Sequence, residues 1–184
     1  MARQARRPAA FAGWRWELLG HVQGRVLEIG CGSGGNFEHY PAGVAVTAFD
    51  VKADRLGTAV RQRAPIDVAL ADAEHLAWPA QTFDAVVGTL VFCSIPDPAR
   101  ALAEVRRVLR PGGRLYLVEH VRSHHAWLGQ VQDWLAPAWQ WGTGGCHLNR
   151  DTEGTVRAAG FEIETLALGY YGLCKLMIAK PRMV

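Results

Sequence analysis

One stretch constrains this chain more than any other: an apolar run that meets a carboxylate and then a series of glycines, Val26-Leu27-Glu28-Ile29-Gly30-Cys31-Gly32-Ser33-Gly34-Gly35-Asn36. Glycine lets the backbone turn sharply and approach a ligand with no Cβ in the way. Gly30, Gly32 and Gly34 therefore predict a loop that holds a nucleotide-sized ligand. A helix is expected to begin near Gly34 and to offer its free N–H groups to anything negative.

Beyond that loop, strand and helix signals alternate in the order of a doubly wound α/β sheet. Val44 to Asp50 reads as the second buried strand, and Ala53 to Arg63 as the helix behind it, stopped by Pro65. Val68 to Asp72 reads as a third strand. Ala85 to Val91 is nearly continuous apolar sequence, which suits a central strand covered on both faces, with Phe92 to Pro96 lining the site. Asp97-Pro98 opens a helix with an apolar stripe of Ala101, Leu102, Val105, Val108 and Leu109, while Arg106 and Arg107 fall on its wet face. Arg110-Pro111-Gly112-Gly113 ends that helix. Arg114 to Val121 is the fifth strand, Asp151 to Ala159 a helix capped by Asp151, and Phe161 to Ala167 and Lys175 to Ala179 the last two strands.

With 184 residues, 49% of them hydrophobic, a single domain over 1–184 is expected. The net charge of +3, spread over interspersed acids and bases, offers no footprint for nucleic acid. Cys31, Cys93, Cys146 and Cys174 form no C-x-x-C pair, which predicts no metal site and a reduced, cytoplasmic chain. No apolar run is long enough to cross a membrane, so a soluble protein is expected. Residues 1–19 are unusual: Arg3, Arg6, Arg7 and Arg15 surround Phe11, Trp14 and Trp16. A helix lidding the ligand site, a frayed end and a weak membrane-surface contact all fit that composition. The oligomeric state is not encoded in any local feature.

Residues 122–150 read as an insertion on the acceptor side of the site. Trp127, Trp134, Trp139 and Trp141 crowd into it, with Pro137 expected to interrupt any helix. Trp127 and Trp134 lie seven residues apart and share a helical face, either as ordinary core or as an aromatic wall for an apolar substrate.

Three carboxylates, Glu28, Asp50 and Asp72, close predicted strands at intervals of 22 residues. In an open parallel sheet, ligands bind beyond the carboxyl ends of the strands. Gly30, Gly32 and Gly35 also satisfy the dinucleotide pattern G-x-G-x-x-G, so the glycines alone do not separate the two ligand classes. A carboxylate at position 28 repels a pyrophosphate but suits an ammonium and a sulfonium, which favours S-adenosylmethionine. On that reading Glu28 lies near the methionine end, beside Gly30, Cys31, Gly32, Gly34 and Asn36. Asp50 and Val51 lie at the ribose, Asp72, Ala73 and Glu74 at the adenine edge, and Thr89 and Leu90 at the end of the central strand.

These residues carry a resemblance to the class I S-adenosylmethionine-dependent methyltransferases. Leu27 to Gly34 looks like that family's E/D-x-G-x-G-x-G loop, Asp50 like its ribose carboxylate, Asp72-Ala73-Glu74 like its adenine-edge segment, and Leu109 to Gly113 like its turn before the fifth strand. The resemblance implies a Rossmann-like seven-stranded sheet with an antiparallel last strand, and S-adenosylhomocysteine as a product. Gly88 to Ser94, Val118 to Val121, Pro137-Ala138-Trp139 and Gly145 to Arg150 further resemble the methyltransferase-like thiol methyltransferases. The N-terminal hydrophobic anchor of those relatives is not expected here. This narrower resemblance implies a small-molecule thiol acceptor, with methylation of an oxygen, nitrogen or carbon as the alternative. His120, His147 and Arg150 are the candidate catalytic groups, and Cys93, Trp127, Trp139 and Cys146 the candidate substrate contacts. A purely structural hydrogen bond is the competing role for His120, and an ion pair with Asp133 or Glu119 the competing role for Arg150.

Overall fold

The computed structural model describes residues 3–4, 11–59 and 66–182. In chain order its strands are β1 (Arg3–Gln4), β2 (Arg25–Ile29), β3 (Ala45–Asp50), β4 (Ile66–Leu70), β5 (Phe83–Thr89), β6 (Leu109–His120), β7 (Phe161–Gly169) and β8 (Cys174–Pro181). Its helices are α1 (Phe11–Leu19), α2 (Ala53–Ala59), α3 (Pro98–Val108), α4 (Ala126–Thr143) and α5 (Thr152–Ala158). Arg6, Arg7 and the expected continuation of α2 to Arg63 and Pro65 lie outside the described residues.

The strands form one sheet in the order β1-β7-β8-β6-β5-β2-β3-β4. β2 to β6 are parallel, and β8 runs antiparallel between β6 and β7. The seven-stranded sheet expected from the sequence is therefore present, and the two-residue β1 adds an edge strand beside β7.

Period-two alternation of the strands fills both faces. Leu27, Ile29, Val86, Leu115 and Leu117 point to one side, where Leu102 and Val105 of α3 and Val156 of α5 cover them. Val26, Ala85, Val87, Tyr116 and Val118 point to the other, under Trp14, Leu18 and Leu19 of α1. The apolar stripe read on α3 is buried as expected, and Asp97 caps it by accepting from the Arg100 N–H. Arg107 is not simply solvated: it donates to the Leu76 and Trp78 carbonyls and to Glu104.

Three local expectations fail for identifiable reasons. No α-helix follows the glycine loop; residues 32–36 are turns that lead to one 3-10 turn, Phe37–His39. Glycines at 32, 34 and 35 make helix nucleation costly, and Pro41 ends the segment. Pro137 does not interrupt α4, which runs through it from Ala126 to Thr143; Pro137 is exposed, so the carbonyl it frees faces water. The strand predicted from Arg114 begins at Leu109, with Arg110 to Gly113 looping out where the register shifts between Phe83 and Ala85.

α1 is an integral layer of the fold rather than a frayed end. The Trp14 ring lies against Gly169, where a Cβ would come within 2.5 Å of it, and meets Tyr170 edge-on at 6.2 Å. No helix of the described residues is long and apolar enough to cross a membrane. Trp14→Ala is expected to lower the unfolding free energy by about 3 to 5 kcal/mol in urea denaturation. A loss below about 1 kcal/mol, the size of a surface substitution, would show that α1 stands outside the cooperative core.

Candidate functional site

The carboxyl ends of β2, β3 and β5 meet at a cavity of about 400 Å³ lined by Gly30, Cys31, Gly32, Ser33, Gly35, Asn36, Thr89 and Leu90, with Arg15 and Arg55 at its rim. Gly32 has φ +54°, and a Cβ built on it meets nothing within 4 Å, so its backbone faces open space. Asp50, almost fully buried, orients the loop: its Oδ2 accepts from the Gly32 N–H and its Oδ1 from the Lys52 N–H, both at 2.9 Å. Each oxygen keeps a lone pair for a ligand.

Glu28 lies beneath the loop rather than in the cavity. It accepts from Asn36 Nδ2 at 3.0 Å and from the Tyr40 hydroxyl at 2.7 Å. Burial pushes its carboxyl up to about 7, although those two hydrogen bonds and the nearby Arg15 guanidinium pull the other way. Burial, with the charges of Glu28 and Asp50, also pushes the Cys31 thiol up to about 12. Asn36 spans the site by donating to Thr89 Oγ1 as well, and its own Oδ1 is buried with no hydrogen-bond donor among the described residues. Asp72 is exposed two residues past β4, and the Glu74 carboxylate accepts from the Asp97 N–H, tying this turn to α3.

Beside this cavity, β6 ends in a second feature. His120, Cys174, Leu128, Val131, Gln132, Leu135, Trp139, Leu148, Tyr170 and Leu173 surround an apolar pocket of about 510 Å³. β5 and β6 are adjacent, with Thr89 opposite Val118, so His120 stands next to the strand end that carries Thr89 and Leu90. A larger cavity, about 830 Å³, lies at the other end of the strands among Glu17, Asp84, Arg114 and Glu164. It has neither the glycine loop nor the strand-end carboxylates.

The loop after β5 is held from below by Glu119, which is fully buried and accepts from the N–H groups of Val91, Phe92 and Cys93 at 2.9, 3.0 and 3.2 Å. Burial pushes its carboxyl up to about 7, opposed by those three donors and by His120. The Cys93 and Cys146 sulfurs are 3.3 Å apart, and Cys146 Sγ is 3.7 Å from His120 Nδ1. The contact between the two sulfurs holds Cys146 towards the thiolate and Cys93 towards the thiol. The same Cys146 sulfur, with Cys174, pushes the His120 imidazole up to about 10.

A family model described as a methyltransferase domain matches residues 27–117. Human thiol S-methyltransferase TMT1B is 37% identical over 151 residues, covering 74% of this chain and 59% of that protein. A phosphatidylethanolamine N-methyltransferase from Cereibacter sphaeroides is 35% identical over 120 residues, covering 61% of this chain and 59% of that protein. A solved S-adenosylmethionine-dependent methyltransferase from Methanosarcina mazei superposes with a TM-score of 0.73 at 24% identity, covering 90% of this chain and 96% of that one. The chain belongs to the class I S-adenosylmethionine-dependent methyltransferases. It spans 59% of the length of the two relatives named first.

The fold distributes the predicted residues of this family member unevenly. Gly30, Cys31, Gly32, Asn36, Thr89 and Leu90 line one cavity together, with Asp50 at its floor. Of the three candidate catalytic groups, His120 alone lines the apolar pocket. Arg150 donates to the Phe92 and Ile95 carbonyls, and the His147 ring pairs with Gln140 at 2.9 Å. Asp133 pairs instead with Arg122 and Asn149, and Glu119 with the backbone, so neither is the partner of Arg150. Trp139 lines the pocket, whereas Trp127 and Trp134 point to solvent and are not core. Cys93, His120 and Cys146, which show no ligand spacing in the sequence, come together so that a side-chain S or N atom of each lies within 4.8 Å of the others.

Sequence reasoning missed Glu119 as a loop anchor, Arg15 at the cavity rim, and the pocket residues Leu128, Val131 and Leu135. The last three recur with Trp139 at helical spacing, a signal that was readable but was masked by treating Pro137 as a break. Glu28 gives a test of its burial. A carboxyl whose value rises from 4.5 in the unfolded chain to about 7 when folded retains a proton that the unfolded chain has lost. Its contribution to stability is therefore fullest below pH 4.5 and declines as pH rises to about 7. Glu28→Gln is expected to flatten that decline in a series of melting temperatures against pH. An unchanged slope would show that Glu28 is ionised and paired throughout.

Proposed function

We propose that this chain transfers a methyl group from S-adenosylmethionine to a small apolar acceptor, with a thiol as the favoured acceptor. The observation that carries the reading is the adjacency of two unlike sites at neighbouring strand ends. One is a polar cradle with an open Gly32 and an oriented Asp50; the other is an apolar pocket that His120 lines. The cradle fits the cofactor: the glycine backbone is open to it, Asp50 keeps acceptors for two ribose hydroxyls, and exposed Val51 offers an apolar flank to the adenine. Asp72, Ala73 and Glu74 then lie towards the adenine edge, while Gly30, Cys31, Gly34, Asn36, Thr89 and Leu90 approach the methionine portion above Glu28.

When bound, S-adenosylmethionine supplies an electrophilic methyl group on a sulfonium. The protein's part is to align the acceptor in line with that methyl and to exclude water, which asks for little acid or base strength. Leu128, Val131, Leu135 and Trp139 desolvate the acceptor, and His120 meets its reacting atom at the closed end. Cys93 and Cys146 stand behind His120, while His147 and Arg150 hold the Cys93 loop in place through the backbone. Similarity to the human thiol S-methyltransferase supports sulfur as the acceptor atom. Similarity to the phosphatidylethanolamine N-methyltransferase keeps an amine as the second reading.

Asp50→Ala is expected to weaken S-adenosylhomocysteine binding by about 1.5 to 3 kcal/mol in calorimetry, the range for a lost hydrogen bond to a charged group. An affinity within twofold of wild type would remove the ribose from Asp50. On the acceptor side, a panel of alkyl thiols, phenols, amines and quinones with labelled methyl donor is expected to show thiol turnover. His120→Ala should then lower kcat/KM while cofactor affinity stays within a few-fold, and Trp139→Ala should raise KM for bulky acceptors more than it lowers kcat. Methylation of amines or phenols but of no thiol would overturn the thiol assignment.

A further inference from the structure

We infer that Cys93, Cys146 and His120 form a three-ligand site for a thiophilic divalent cation, with the fourth position left for the acceptor thiol. The inference rests on the thiol reading above for its fourth ligand only. The three side chains come from separate segments: the loop after β5, the last residue of β6 and the loop after α4. Their ligand atoms lie within 4.8 Å of one another, with Sγ–Sγ at 3.3 Å and Cys146 Sγ–His120 Nδ1 at 3.7 Å. Tetrahedral zinc bonds of about 2.3 Å to sulfur and 2.0 to 2.1 Å to nitrogen give edges of about 3.8 and 3.6 Å, so the edges from Cys146 to Cys93 and to His120, at 3.3 and 3.7 Å, lie within about half an ångström of that geometry.

Two buried thiols that merely fill space are common, and that is the simpler account of Cys93 and Cys146 taken alone. The triangle differs in being built independently of any sulfur contact. The Cys93 N–H donates to buried Glu119, and the Cys93 carbonyl accepts from the His147 N–H at 2.8 Å, so the two cysteine loops are tied directly to each other. Arg150 braces the same loop through the Phe92 and Ile95 carbonyls. Two sulfurs and one imidazole are the donor set that selects zinc-like ions over magnesium or calcium. Three protein ligands with an open position is also the pattern of catalytic rather than structural zinc.

His120 borders the apolar pocket and lies beside the Cys146 sulfur, so the site adjoins the pocket. An acceptor R–SH that takes the fourth position gives its proton to solvent and stays nucleophilic at neutral pH. Its sulfur pair then forms the new S–CH3 bond as the bond from that methyl to the sulfonium breaks. The departing sulfur keeps the pair as S-adenosylhomocysteine, and the thioether product, a weaker ligand than a thiolate, leaves.

The test uses the full chain, reduced and stripped with a chelator. Titration with Zn²⁺ by calorimetry is expected to show one equivalent bound. Titration with Co²⁺ should give thiolate charge-transfer absorption and the intense visible bands of a tetrahedral ion. Adding a small alkyl thiol should shift those visible bands. Cys93→Ser and Cys146→Ser should each weaken Zn²⁺ binding by more than about 100-fold, beyond the effect of losing an outer-shell partner. Retained S-adenosylhomocysteine affinity shows that each variant is folded. No bound metal in wild type, or unchanged binding in the double variant, overturns the site even if thiols are methylated. Metal binding with Co²⁺ bands insensitive to thiol overturns the open position. Absence of thiol turnover with the metal bound counts instead against the thiol reading.

Discussion

Glu119 is a carboxylate with no exposure to water, placed one residue before the end of a central strand, and it accepts hydrogen bonds from three consecutive backbone N–H groups. A loop that leaves a parallel sheet must satisfy its N–H groups somewhere, and Phe92 and Cys93 are buried away from water. Without Glu119, the buried N–H groups of Phe92 and Cys93 would lose their acceptor, each at a cost of about 1 to 3 kcal/mol, and the half-buried Val91 N–H would lose its own. The loop it holds carries Cys93, abuts His120 and sets where the cofactor cavity stops and the apolar pocket begins. Burying the carboxylate raises its pKa, and the three donors offset part of that cost.

Glu28 performs the matching task one strand over from β5. It holds Asn36 and Tyr40, and through Asn36 it reaches Thr89, so the glycine loop and the end of β5 share a network. The site is thus built on two buried carboxylates that face inward, with Asp50 holding the Gly32 N–H of the loop. Leu90, with φ +55°, sits where these supports meet. A non-glycine residue persists in that conformation only when its surroundings over-determine it, and the Leu90 N–H is pinned to the Val118 carbonyl at 2.8 Å.

α4 has the opposite character. Trp134 is 81% and Trp141 90% exposed, while the other side of the helix contributes Leu128, Val131, Leu135 and Trp139 to the pocket wall. Among its ties to the body, Gln132 receives the Ser123 N–H and donates to the Val121 and Leu148 carbonyls, beside the pairs that Asp133 makes with Arg122 and Asn149. A wall attached by a few polar contacts suits a pocket whose occupant must enter and leave.

The order of the seven long strands, the glycine loop and the carboxylates Glu28 and Asp50 near strand ends were legible in the sequence, because each depends on local quantities: side-chain period, backbone freedom at glycine, and capping by Asp97 and Asp151. That legibility stopped where a residue's role depends on a neighbour distant in sequence. Pro137 reads as a helix breaker, yet in an exposed turn its lost hydrogen bond costs little. Trp127 and Trp134 read as core or substrate wall, and whether each is buried depends on how α4 lies over the sheet. Arg150 reads as a group for an acceptor or a carboxylate and instead satisfies two carbonyls. Cys93, His120 and Cys146 are separated by 27 and 26 residues and show no ligand spacing; only the pairing of β5 with β6 and the return of the chain after α4 bring them together. The sequence alone determined what kind of site this chain builds, through residues that act on their own backbone. The tertiary structure decided which side chains share that site, because proximity between segments is set by packing of the whole sheet.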